Sequence, residues 1–186
     1  DEELGRKAGM ATQYGNLGIV AAKRGDLKMA VDYYNQSLAL NEKLGRKAGM
    51  AVNYGNLGLV AIEQGDLEMA VEYYNQALAL DKELGRQEGM ARHYGNLGVV
   101  AAERDDLEMA VDYYNQALAL DEELGRKEGM ASNYANLGAV AFKRGDLLEA
   151  RQFWVQARGL FAEMGAQPAV AQFDQLLADL EPPAEP

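Results

Sequence analysis

The sequence contains no cysteine and a single histidine, His93. The absence of cysteine excludes disulfides and thiolate metal sites, and one histidine cannot supply a histidine-rich metal centre. No apolar run reaches the roughly 18 residues that a membrane-spanning helix requires. We therefore expect no metal site, no cofactor and no membrane partner.

Basic residues are also scarce, since 18 Lys and Arg stand against 29 Asp and Glu and give a formal net charge of -11. Binding to nucleic acid depends on clustered Lys and Arg, so this balance argues against it and favours neutral or basic protein partners. Carboxylates such as Glu63 and Glu103 recur at a regular spacing on an open helix face, whereas a general acid needs a shielded pocket. We therefore do not expect an enzyme.

What the sequence does contain is one motif written four times. The block Ala11-Thr12-Gln13-Tyr14-Gly15-Asn16-Leu17-Gly18 recurs at Ala51, Ala91 and Ala131, at a constant offset of 40 residues. A unit of this length holds two helices but cannot bury their apolar faces alone. The period therefore predicts an all-α solenoid in which neighbouring units share a core.

Each unit has the signals of two antiparallel helices, which we call A and B. Gly65-Asp66 is predicted to end helix A and to begin helix B, which runs from about Leu67 to Leu84, and Gly85 is predicted to end helix B. Gly5, Gly45 and Gly125 are predicted to end helices in the same way. The predicted organisation is a remnant of a preceding repeat at 1–6, repeats at 7–45, 46–85, 86–125 and 126–165, a capping helix at 166–181 and a frayed tail at 182–186.

The residues Tyr14, Asn16-Leu17-Gly18, Gly25-Asp26, Ala30 and Tyr34 resemble the tetratricopeptide repeat, with its aromatic, Leu-Gly and small residues at these spacings. The unit is longer than usual and lacks the closing proline of that family. In both respects it resembles the subclass found in Pins-type adaptors and kinesin light chains. The resemblance implies a right-handed superhelix whose A helices line a concave groove.

One asparagine per repeat stands on the predicted groove face of helix A. A row of amides, which can donate and accept, could bond the backbone of an extended peptide. In the family that this chain resembles, asparagines at this position contact peptide ligands. The alternative is that each amide bonds a neighbouring helix and fixes the repeat spacing. The four residues are Asn16, Asn56, Asn96 and Asn136.

Helix B is nearly identical between the repeats, whereas helix A varies at several positions. Most of these variable positions lie on the predicted groove face. Different side chains on a repeated scaffold could form selective pockets for a peptide, although drift on an unused surface is the alternative. Three glycines, Gly15, Gly55 and Gly95, share a helical position and indicate close approach of another backbone, either that of a ligand or that of the adjoining repeat. The remaining candidate binding residues are Val52, Leu59, Ile62, Arg92, His93, Val99 and Phe142.

These patterns predict a protein-interaction scaffold that binds a partner peptide or helix in its groove. The alternatives are a repeat module that self-associates through its N-terminal repeat, or a regulatory arm of a larger signalling or enzymatic protein. Residues Asp1 to Arg6 are identical to Asp121 to Arg126, which suggests a longer parent protein. We expect a cytoplasmic location, with any targeting signals outside this sequence.

Overall fold

The computed structural model describes residues 2–180, and this range forms nine α-helices and no strand. The predicted all-α repeat fold is therefore confirmed. The helices are α1 (Glu2–Lys23), α2 (Leu27–Lys43), α3 (Lys47–Glu63), α4 (Leu67–Glu83), α5 (Gln87–Glu103), α6 (Leu107–Glu123), α7 (Lys127–Arg144), α8 (Leu147–Glu163) and α9 (Gln167–Asp179).

The helix starts follow the predicted Gly-Asp signal. The Asp66 carboxylate accepts a hydrogen bond of 3.0 Å from the backbone N–H of Met69, which satisfies one of the free donors of the first turn of α4. Gly65 precedes it with φ 77°, in the left-handed region. The third repeat carries Asp105 at this place, with φ 65°. The other capping aspartates are Asp26, Asp106 and Asp146.

The chain divides into two compact units, unit 1 (Asp1–His93) and unit 2 (Tyr94–Pro186), with the boundary inside α5. In unit 1, α1 packs on α2, α2 on α3, and α3 on α4. Apolar residues from three successive helices meet in one core, so the second repeat closes the first. This core consists of Ala21, Ala30, Tyr34, Leu57 and Val60.

In unit 2, α6 packs on α7, α7 on α8, and α8 on α9. Two cores follow one another along this unit. The first consists of Ala101, Ala110, Tyr114, Leu118, Leu137 and Val140, and the second of Ala141, Ala150, Trp154, Ala157 and Phe173. The rings of Phe161 and Phe173 stack at 5.6 Å, so aromatic packing joins α8 to α9.

The glycine of the Leu-Gly motif makes room for the aromatic residue of helix B. A Cβ atom on Gly18 would lie 2.5 Å from Cε1 of Tyr34, and one on Gly98 would lie 2.5 Å from Cε1 of Tyr114. Only glycine allows the two helices of a hairpin to approach this closely. The motif therefore encodes the contact between the helices.

The prediction that Gly5 ends a helix is wrong, because α1 continues through it. The turn at Gly125 bonds back to Asp121 and Glu122 at the end of the complete helix α6. Gly125 has φ 66°, in the left-handed region that ends a helix, whereas Gly5 is not among the glycines with positive φ and lies inside α1. The predicted frayed tail lies outside the described residues.

Within residues 2–180, no helix is both long enough and apolar enough to cross a membrane.

Candidate functional site

The four candidate asparagines lie on the A helices, one each on α1, α3, α5 and α7. Asn16 is exposed, and Asn56, Asn96 and Asn136 are half-buried. Among the described residues, none of the four amides has a hydrogen-bond partner, whereas other polar side chains of the same helices have several. Their donors and acceptors are therefore available to a ligand.

The buried side-chain hydrogen bonds between repeats come from residues three positions earlier on helix A. In unit 1, the buried Asn53 donates from Nδ2 to Oγ of Ser37 at 2.9 Å, and that hydroxyl donates to the carbonyl oxygen of Ala11 at 2.7 Å. In unit 2, Asn133 donates from Nδ2 to Oδ2 of Asp121 at 2.9 Å. These buried contacts between repeats are thus made by a different row of side chains from the candidate asparagines.

His93 occupies this earlier position in the third repeat, and its expected place on the groove face is wrong. Its side chain is 0% exposed and contacts Asp81, with Nε2 lying 3.3 Å from Oδ2. A Cβ atom on Gly55 would lie 2.7 Å from Cε1 of this imidazole. The glycine at position 55 therefore accommodates the adjoining repeat. His93 cannot contact a peptide without leaving the core.

Burial decides the electrostatics of this pair. Loss of hydration is the main cause that lowers the pKa of His93 to about 4, and the nearby charges of Arg92 and Arg86 contribute to the same shift. Burial also raises the pKa of Asp81, against the opposing effect of the same two arginines. The imidazole is therefore neutral at pH 7.

Unit 1 contains an open cavity of about 170 Å³ between α1 and α3. It brings together three of the predicted residues, Asn16, Val52 and Asn56. Its lining includes no carboxylate, in a chain with a large excess of acid. The other lining residues are Ala11, Thr12, Gly15, Ile19, Ser37, Asn41, Arg46, Gly49 and Asn53.

Unit 2 contains a larger open cavity of about 410 Å³ between α5 and α7, with Tyr114 of α6 among its lining residues. It brings together two predicted residues, Val99 and Asn136. The other lining residues are Ala102, Glu103, Ala139, Val140 and Lys143.

The remaining predicted residues line neither of these two cavities. Leu59, Arg92 and Phe142 are exposed, and Ile62 is half-buried. The Phe142 ring packs at 5.7 Å from the Trp154 ring, although half of its surface remains exposed. Asn96, on α5, also lies outside both linings.

The buried polar residues of helix B were missed by the sequence reasoning. Asp81 is fully buried and Asp121 is 3% exposed. The sequence does contain a pattern that marks these two aspartates. Each stands four residues after a buried alanine and eight residues before a glycine. A Cβ atom on Gly89 would overlap the Asp81 carboxylate, so the aspartate and glycine form one interlocking contact.

Within residues 2–180, no group of three or more His, Asp or Glu side chains is arranged to hold a metal ion.

The family model of the tetratricopeptide repeat matches residues 9–83, 49–123 and 89–163, which together span most of the sequence. The chain belongs to the tetratricopeptide repeat family. No match was found among curated proteins.

Three solved structures illustrate the similarity of fold. The apo form of RapI is 16% identical with a TM-score of 0.86, over 94% of this chain and 64% of that one. A putative kinesin light chain from Podospora anserina, with nearly identical TPR-like repeats, is 18% identical with a TM-score of 0.74, over 94% and 86%. A Rap protein complexed with Competence and Sporulation Factor is 20% identical with a TM-score of 0.75, over 90% and 47%. The chain thus spans less than two thirds of either Rap protein, and at these identities the likeness concerns the fold.

Proposed function

We propose that the chain is a non-enzymatic protein-interaction module whose asparagine row binds the backbone of an extended peptide segment of a partner protein. The observation that carries this proposal is that the four asparagine side chains retain solvent exposure and form no hydrogen bond within the described residues. They lie at equivalent places on four A helices. A peptide backbone offers one donor and one acceptor per residue, which matches an amide side chain.

The bonding pattern between repeats supports this proposal over a structural role for the row. Asn53 and Asn133 already supply buried polar contacts between neighbouring repeats. A second row of amides is not needed for that purpose, and side-chain amides without an intramolecular partner are suited to an intermolecular one. The Rap protein complexed with Competence and Sporulation Factor also supports partner binding by a protein of this fold.

Selectivity in this proposal comes from the candidate residues that keep solvent exposure. We assign this role to Val52, Leu59, Ile62, Arg92, Val99 and Phe142, and we withdraw it from His93. The net charge of -11 favours neutral or basic segments.

The test is selection of binders from a random-peptide display library against the full chain, followed by titration against variants. The double variant Asn56→Ala/Asn96→Ala should weaken binding of the selected peptides at least tenfold. Each replacement removes the side-chain amide that forms hydrogen bonds with the peptide backbone. Asn75→Ala with Asn115→Ala is the matched control, because these exposed asparagines lie on α4 and α6. Equal affinity of both double variants would refute the proposal.

A second candidate function, self-association through α1, is favoured by one observation. Leu17 and Val20 are 44% and 45% exposed, whereas Leu57 and Val60 at the equivalent places of α3 are almost fully buried. A second copy could cover this face. Sedimentation velocity over a range of concentrations tests it: a monomer at every concentration excludes it, and a dimer that Leu17→Glu dissociates supports it.

A further inference from the structure

The cavity of unit 2 exists because two positions on its walls carry small side chains. Ala139 on α7 stands where the second repeat has Leu59, and Ala102 on α5 stands where the fourth has Phe142. The backbone period is unchanged, so the missing side-chain atoms leave space between α5 and α7. The resulting volume is about 410 Å³, which falls in the range of about 300–1,000 Å³ typical of ligand pockets.

The walls and floor of this cavity are predominantly apolar. Val99, Ala102, Ala139 and Val140 supply aliphatic carbon, and the almost fully buried Tyr114 also belongs to the lining. Burial, reinforced by the charge of Glu103, raises the pKa of the Tyr114 hydroxyl, so the floor stays neutral. An apolar group that enters gains the free energy of leaving water without separating any buried charge pair.

The two charged residues of the cavity lining are both exposed to solvent, and one of them, Lys143, already has partners within the chain. Lys143 pairs with Asp105 at 2.7 Å and donates to the carbonyl oxygen of Ala102 at 3.2 Å. Glu103 is the other charged residue of the lining, and Asn136 stands beside the cavity. A peptide whose backbone is bonded by Asn136 could therefore direct a side chain into the cavity.

We propose that this cavity receives one aromatic side chain of the bound peptide. The inference rests on the proposed peptide-binding function and adds the class of residue that the site selects. The cavity has room for an aromatic ring, which buries more apolar surface against the aliphatic lining than an aliphatic side chain does. The polar rim suits the hydroxyl of tyrosine or the indole N–H of tryptophan.

The cavity can be tested without a known peptide, by using blocked amino acids as probes. N-acetylphenylalaninamide, N-acetylleucinamide and N-acetylglycinamide are titrated into the full chain and followed by amide chemical shifts. We expect saturable shifts at Gly98, Ala102 and Ala139 with millimolar affinity for the aromatic probe. The leucine probe should bind at least threefold more weakly, and the glycine probe should not bind.

The variant that tests the site is Ala139→Leu, which restores the side chain of the second repeat. Residue 139 is exposed and Leu59 is accommodated on the same scaffold, so the variant should fold. It should weaken aromatic binding at least tenfold. Ala119→Leu is the matched control, since this exposed alanine lies on α6 away from the cavity, and it should bind like the wild type.

Equal affinity for the leucine and phenylalanine probes, unchanged binding to Ala139→Leu, or no aromatic binding up to the solubility limit would each overturn the inference. Its failure is distinguishable from failure of the proposed function. If binding of the library peptides depends on Asn56 and Asn96 but no peptide position is enriched in aromatic residues, only the cavity assignment is refuted. Aromatic probes that occupy the cavity while no peptide depends on these asparagines refute only the peptide-backbone role.

Discussion

Nε2 of His93 lies 3.3 Å from Oδ2 of Asp81, and both side chains are fully buried. The two atoms are within contact distance but are not aligned as a hydrogen bond, so the pair is packed without full polar compensation. A buried, incompletely compensated polar group costs folding free energy. The third repeat therefore joins its predecessor through a contact that is sensitive to protonation.

The residues equivalent to His93 in the second and fourth repeats also contact helix B of the preceding repeat, with different chemistry. Asn53 bonds Ser37 in the second repeat, and Asn133 bonds Asp121 in the fourth. Asp121 also accepts a hydrogen bond of 3.1 Å from Arg126. Of the residues that make these contacts, His93 is the one whose side chain titrates near neutral pH in the unfolded chain.

Acidification should destabilise the protein through His93. The unfolded imidazole titrates near pH 6.5 and the folded one near 4, so between these values the unfolded state binds more protons. Stability from this group is present above pH 6.5 and is lost as the pH falls towards 4. We expect a loss of about 2 kcal/mol between pH 7 and pH 5, measured by urea denaturation at each pH.

The matched variant is His93→Asn, because asparagine occupies the equivalent position of the second and fourth repeats. Its free energy of unfolding should change less between pH 7 and pH 5, with the difference between the two proteins close to the expected loss. The raised pKa of Asp81 acts in the opposite direction in both proteins. A wild-type protein that keeps its stability on acidification would show that a charged imidazole pairs with Asp81 instead.

Two glycines at equivalent positions should respond oppositely to alanine. A Cβ atom on Gly89 would lie 2.5 Å from Cγ of the fully buried Asp81, which has no room to retreat. Gly89→Ala should lower the free energy of unfolding by at least about 2 kcal/mol. No atom lies within 4 Å of such a Cβ on Gly9, so Gly9→Ala should raise it by about 0.5–1 kcal/mol through helix propensity. Urea denaturation of both variants checks this, and similar effects would contradict the interlocking contact.

The repeat period and the turn residues were enough to predict the helices. The predicted span of helix B in the second repeat, Leu67 to Leu84, matches α4 at Leu67–Glu83, and Asp66 caps it as expected. Local signals suffice here because a helix start is a matter of a few neighbouring residues.

The interior polar contacts could not be predicted in the same way. Periodicity treats polar residues as exposed, so it predicts a groove position for His93, which differs from its counterparts in the other repeats. The burial of His93 depends on the small residue at Gly55 and on the acid at Asp81, which come from two other helices. Such a contact is set by how the helices pack, which the local pattern along a single sequence does not encode.

Replacement of Asp105 by glycine should stabilise the protein. Asp105 has φ 65°, and the equivalent residues of the other repeats are glycines with φ between 77° and 83°. A side chain in this region costs free energy that glycine avoids. The ion pair with Lys143 is exposed and contributes little. We expect Asp105→Gly to raise the free energy of unfolding by about 0.5–1 kcal/mol, measured by thermal and urea denaturation. Asp105→Ala removes the ion pair but keeps the Cβ atom, so it should not stabilise.

Two asparagines three residues apart on α3 should differ in their effect on stability. Asn53 is buried and donates to Ser37 at 2.9 Å, so Asn53→Ala removes a buried hydrogen bond and should cost about 1–2 kcal/mol. Asn56 is half-buried and has no hydrogen-bond partner within residues 2–180, so Asn56→Ala should change the free energy of unfolding by less than about 0.5 kcal/mol. Urea denaturation of the two single variants under identical conditions gives the comparison. If both lose stability equally, the Asn56 amide contributes to folding and the row would be better explained as a structural element. If only Asn53→Ala loses stability, replacement of Asn56 leaves the scaffold intact. A loss of peptide binding in the Asn56 variant then reports a lost contact with the peptide.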